Sequence, residues 1–94
     1  MPLRRDQYLG HILDRRVCLF SMRDGRRPVR FAATFALMDE LENAPGIKPA
    51  ERTAQFDRLR DQIEEIADRK FALLMPNARP EELLLTSADL KRVR

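Results

Sequence analysis

Cysteine and histidine occur once each, as Cys18 and His11, and that scarcity removes several kinds of chemistry. A lone cysteine cannot close an internal disulfide. A structural zinc site takes four Cys or His ligands, so this pair cannot build one. A Cys–His nucleophilic pair needs the two side chains in contact with an orienting group nearby. The plainer expectation is a strand cysteine and a surface histidine. The three glycines form no phosphate-cradling loop, and nucleophile-elbow and metal motifs are absent. No catalytic residue, metal ligand or cofactor is therefore assigned, and an enzyme is not expected.

Long apolar runs are missing too. The longest is Phe71–Met75, and it and the Leu83–Leu85 run are far too short to span a bilayer. The opening Met1–Asp6 leads into no apolar secretory segment. With one cysteine, this pattern leads to the expectation of a cytoplasmic protein without a membrane partner.

What is present is a folded composition. The 94 residues are 44% hydrophobic and 35% charged, which suits one globular domain over residues 1–94. The net charge of +3 is unevenly spread. Residues 1–30 hold eight arginines against Asp6, Asp14 and Asp24, residues 31–69 are net acidic, and residues 70–94 are basic again. Such asymmetry suits either a polyanion or a basic part of one copy meeting an acidic part of another.

Residues 1–15 show loose helical spacing at Tyr8, Leu9, Ile12 and Leu13, interrupted by Gly10, which suggests a short helix or an irregular arm. Residues 16–33 read as a hairpin, with apolar runs on either side of Asp24-Gly25, a strong turn signal. Two registers are open. A two-residue Asp24-Gly25 loop sets Phe20 opposite Val29 and Cys18 opposite Phe31, with Cys18, Phe20 and Met22 on the core face. A three-residue loop with a glycine bulge sets Leu19 opposite Val29 and Val17 opposite Phe31, and the faces of the first strand are exchanged.

Thr34 is a candidate N-cap for a short helix over 34–43, which Asn43-Ala44-Pro45-Gly46 stops. The longest periodic segment runs over 50–75. Phe56, Leu59, Ile63, Ile66 and Ala67 make its apolar stripe, and Arg60–Glu64 and Glu65–Arg69 are i,i+4 pairs on its polar side. Pro76–Pro80 ends that helix, 82–87 reads as a short strand, and Ser87–Leu90 starts a last helical turn.

The segments Val17–Gly25, Val29–Phe31, Phe56–Ala67 and Leu84–Leu90 together resemble a family of small bacterial proteins catalogued as a domain of unknown function, number 1488. The resemblance covers residues 16–90. It implies an α+β fold: a small antiparallel sheet, made of the hairpin plus a C-terminal strand, packed by one short and one long helix. It also implies that Val17 and Leu19, rather than Cys18, are the core positions. That selects the bulged loop and leaves Cys18, Phe20 and Met22 on the outer sheet face as a candidate partner surface. It implies no activity.

Three function classes follow. The first is a non-enzymatic interaction or regulatory module, expected as a homodimer through the sheet or hairpin, with its other protein partner unknown. The second is a nucleic-acid-binding accessory protein using Arg15, Arg16, Arg23, Arg26, Arg27 and Arg30 as polyanion contacts. No base-reading or stacking pattern accompanies those arginines, so the first is favoured. The third is carboxylate chemistry on the long helix, where Asp57, Asp61, Glu64, Glu65 and Asp68 read better as a solvated, salt-bridged face.

Overall fold

Gly25 decides the hairpin. In the computed structural model, which describes residues 3–43, 46–74 and 81–92, Gly25 has φ +65°, a conformation a side chain disfavours. It takes the first position of a two-residue loop, Gly25-Arg26, closed by Asp24 opposite Arg27. The strands β2 (Val17–Asp24) and β3 (Arg27–Thr34) then run antiparallel with Phe20 opposite Phe31, Met22 opposite Val29 and Cys18 opposite Ala33.

This corrects the bulged register. It also differs from the Asp24-Gly25 loop, since each β2 residue meets a partner two residues further along β3, and a shift of two keeps that loop's face assignment. Cys18, Phe20 and Met22 point into the core, and Phe20 is fully buried. The expected outer surface of Cys18, Phe20 and Met22 does not exist. Val17 and Leu19 lie on the opposite face, in a small separate cluster with Ala32 and Ile12.

Residues 4–12 are a strand, β1 (Arg4–Ile12), antiparallel to β2, and not a helix or an arm. The helical look of this segment has a physical origin. Two register shifts, between Arg5 and Tyr8 and between Tyr8 and Gly10, break the two-residue alternation, and Gly10 sits at φ +101°. The last strand, β4 (Leu83–Leu85), joins β3 in parallel, so the sheet is mixed, with order β1-β2-β3-β4. A parallel neighbour needs a crossover, and the two helices between β3 and β4 supply it.

The first of them, α1 (Phe35–Glu42), starts at Thr34, whose hydroxyl accepts from the Leu37 N–H at 3.1 Å. It stops at Asn43, left-handed at φ +52°. A 3-10 turn over Pro49–Glu51 leads into α2 (Arg52–Ala72). The final α3 (Ser87–Arg92) is capped reciprocally: the Thr86 hydroxyl accepts from the Ala88 N–H, and the Asp89 carboxylate accepts from the Thr86 N–H. The proline-rich stop at 76–80 and residues 44–45 of the earlier stop lie outside the described residues. No described helix is long and apolar enough to cross a membrane.

All helices lie on one side of the sheet. Phe56, Leu59, Ile63, Ile66 and Ala67 of α2 are buried there against Phe20, Phe31, Leu37, Met38, Leu83 and Leu85. Rings set the centre: Phe20 stacks on Phe31 at 5.3 Å, Phe56 tilts onto Phe20 at 5.2 Å, and Tyr8 meets Phe56 at 4.7 Å. Ile63 has no exposed surface. Ile63→Ala is expected to lower unfolding stability by about 2–5 kcal/mol in a denaturant titration.

Candidate interaction surface

The sheet face without helices follows from the register. Arg4 of β1 stands opposite Arg23 of β2, which stands opposite Pro28 of β3. One pleat further, Ser21 faces Arg30, then Leu19 faces Ala32 and Val17 faces Thr34. Leu84 of β4 lies beside Ala32 and is exposed. The face therefore has a basic end at the hairpin and an apolar end at the β1–β2 turn.

Its arginines are unequally engaged. Asp6 accepts from the Ser21 hydroxyl at 2.6 Å and from Arg23 at 3.2 Å, and the serine bond above all holds the Asp6 carboxyl below its ordinary value. Arg15 reaches Glu82 at 3.1 Å. Arg4, Arg16, Arg26, Arg27 and Arg30 are exposed and form no ion pair among the described residues. Like charges directly opposite each other, as at Arg4 and Arg23, destabilise an antiparallel pair.

The six arginines singled out from the sequence are thus not one cluster. Arg23, Arg26, Arg27 and Arg30 gather at the hairpin. Arg15 and Arg16 sit beyond the other end of β2, about 25 Å away for a strand of this length. Arg4, on the same face as Arg23 and Arg30, was missed because residues 1–15 showed no strand alternation.

The carboxylates of α2 are spent differently. Arg5 bonds Asp61 at 2.6 Å and Glu64 at 2.8 Å, Arg60 bonds Glu64 at 3.0 Å, and Arg69 bonds Glu65 at 2.9 Å. The Asp68 carboxylate accepts from the Leu3 N–H. Asp61 stands in open solvent, and Glu65 borders only a shallow groove of about 150 Å³. Among the described residues no three His, Cys, Asp or Glu side chains come together as a metal would require.

Cys18 and His11 do lie opposite each other across β1 and β2. The thiol's hydrogen-bond partner, however, is the Tyr8 hydroxyl, which donates to Sγ at 3.7 Å and also meets the Thr53 hydroxyl at 3.0 Å. Burial pushes the thiol's pKa up and pushes the Tyr8 phenol up to about 12. A buried, protonated thiol is a poor nucleophile. Native protein at neutral pH should resist alkylation by iodoacetamide at Cys18, while denatured chain should take one label by mass spectrometry.

One polar network was not anticipated. Arg52 of α2 is buried and donates to Asp39 and to Gln55, both at 2.6 Å. Gln55 donates to Asp39 at 3.0 Å and to Glu42 at 3.3 Å, and Arg58 closes on Glu42 at 2.7 Å. The signal was present as matched spacing: Asp39 and Glu42 are three apart on α1, as are Arg52, Gln55 and Arg58 on α2. Burial alone would raise the Asp39 pKa, but the bonds from Arg52 and Gln55 prevail and lower it. A depressed folded-state pKa contributes stability above the ordinary carboxylate range and loses it as pH falls through the folded value. Asp39→Asn should therefore lower Tm at pH 7, and the gap to wild type should shrink on acidification toward pH 3.

Strand addition is discouraged at both edges of the sheet. β4 is only three residues long, and Lys70 donates to both the Leu84 carbonyl and Asp89 beside it. β1 is bulged twice and starts with two arginines.

The family model described as protein of unknown function (DUF1488) matches residues 10–78. No curated protein and no solved structure matches the chain.

Proposed function

Because the chain belongs to the DUF1488 family, whose description assigns no activity, its function has to be argued from its surface, and we propose a non-enzymatic interaction module that docks an acidic protein surface on its helix-free sheet face. One observation carries this reading: Arg4, Arg23 and Arg30 stand in adjacent strands on that face, and Arg4 and Arg30 have no carboxylate partner among the described residues. Such an arrangement costs folding stability, and an anionic partner recovers it. The apolar end, with exposed Leu84, adds contact area that excludes water.

A protein fits better than a nucleic acid. All the described aromatic rings, Tyr8, Phe20, Phe31, Phe35, Phe56 and Phe71, pack into the core on the helical side, so none on this face can stack a base. A second copy fits less well than an acidic protein, since Asp6 on this face is already held by Ser21 and Arg23 and offers the arginines of another copy no free carboxylate.

Affinity capture from the source cell, with the full chain as bait and an Arg4→Glu/Arg30→Glu variant beside it, tests the proposal. A partner held by wild type, lost with the variant and resistant to nuclease is the expected result. Release by nuclease would transfer the face to nucleic acid, and capture unaffected by the variant would move the site elsewhere. Light scattering should give a mass near 11.0 kDa for the chain alone. Twice that mass would make a second copy the partner.

A further inference from the structure

The β1–β2 turn, the start of α1 and the 3-10 turn enclose an open cavity of about 530 Å³. That is the size of a small-molecule site. Leu13, Phe35, Ala36, Ile47 and Pro49 make its wall largely apolar. Three hydrogen-bond donors of the lining residues lack acceptors among the described residues.

The first is a backbone amide. An α-helix leaves its leading N–H groups without internal partners. In α1 the Phe35 N–H is satisfied by the Arg16 carbonyl at 2.8 Å and the Leu37 N–H by Thr34. The Ala36 N–H has no partner among the described residues, and Ala36 is exposed. The second donor is Arg16, which lines the cavity and forms no ion pair among the described residues.

The third is Arg52. Its side chain is only 9% exposed, its guanidinium lies 4.2 Å from the centre of the Phe35 ring, and its Nε has no acceptor among the described residues. A buried guanidinium donor left unmatched is costly. The only carboxylate among the described wall residues, Asp39, is already held by Arg52 and Gln55. Arg15 is committed to Glu82. Positive charge therefore remains in excess.

We infer that this cavity binds a small organic anion, a carboxylate on an apolar body. The apolar body rests against Phe35, Leu13 and Ile47. The carboxylate takes the Ala36 N–H and Arg16, at the positive end of the α1 dipole and in the field of Arg52. Nothing in this inference depends on the sheet face, so either reading can fail without the other.

An amide and arginine-Nε NMR titration of the full chain tests it, with benzoate, benzyl alcohol and inorganic phosphate as probes. Benzoate should shift the Phe35–Leu37 amides and the Arg52 Nε–H saturably, and benzyl alcohol should not. Arg16→Gln should weaken benzoate roughly threefold to tenfold, the range for one charged hydrogen bond at a partly exposed site. Ala36→Glu places a carboxylate in the first turn, where the helix dipole favours it, and should abolish binding with the fold intact. Shifts that stay linear throughout, equal binding of phosphate and benzoate, or benzoate affinity unchanged in both variants would each overturn the inference.

Discussion

Phe20 lies opposite Phe31 across β2 and β3, and Phe56 of α2 closes on Phe20 from above. The rest of the domain hangs on this trio. It fixes which face of β2 looks inward, and a strand has only two faces to offer. With Phe20 inside, Cys18 and Met22 must also be inside, and Val17, Leu19 and Ser21 must be outside. Each large apolar side chain taken from water contributes about 1.5–3 kcal/mol. The choice between Phe20 with Met22 and Leu19 with Ser21 is therefore worth several kcal/mol, and Ser21 decides it, because a hydroxyl among phenyl rings would have no acceptor. On the outer face that hydroxyl finds Asp6.

The same choice creates the outer face. Leu19 is largely buried although no helix covers it, because it sits between strands within the cluster of Val17, Ala32 and Ile12. Long side chains that flank such a cluster, Arg30 among them, can lay their stems over apolar surface and keep their charge in water. A single-layer sheet face can thus shield its apolar residues from water without a second layer of helices. An arginine used this way is both a cover for its neighbours and an exposed cation.

Much of this was legible in the sequence. The α2 stripe, the Thr34 cap, the Asn43 stop, both i,i+4 pairs on α2 and the short last strand can all be read from periodicity and turn chemistry, since each depends on local contacts. The β1 strand could not, because its two bulges destroy the alternation on which strand recognition rests. The loop position could not either. Asp24-Gly25 signals a turn, but only the pairing of Phe20 with Phe31 shows that Gly25 comes first in it. The family resemblance pointed to Val17 and Leu19 as the inward pair, and aromatic packing overrides it. The arginines were visible from the start. What the sequence hid was their division between two ends of β2 and the addition of Arg4 to the hairpin group.

That division explains where the charge excess of the chain resides. On the helical side Asp61, Glu64, Glu65 and Glu42 each meet an arginine of the same molecule. On the helix-free face Arg23 is matched by Asp6, and Arg4 and Arg30 remain over, while Arg26 and Arg27 stand unpaired among the described residues at the hairpin end and Arg16 at the other end of β2. A group of unpaired arginines therefore gathers toward the hairpin end. With β4 short and held by Lys70, and β1 bulged, partner binding by strand addition is discouraged at both edges. A face that concentrates charge, lacks aromatic rings and lies between two guarded edges is suited to side-chain recognition of carboxylates, in which each arginine can offer a two-pronged hydrogen bond that a lysine could not.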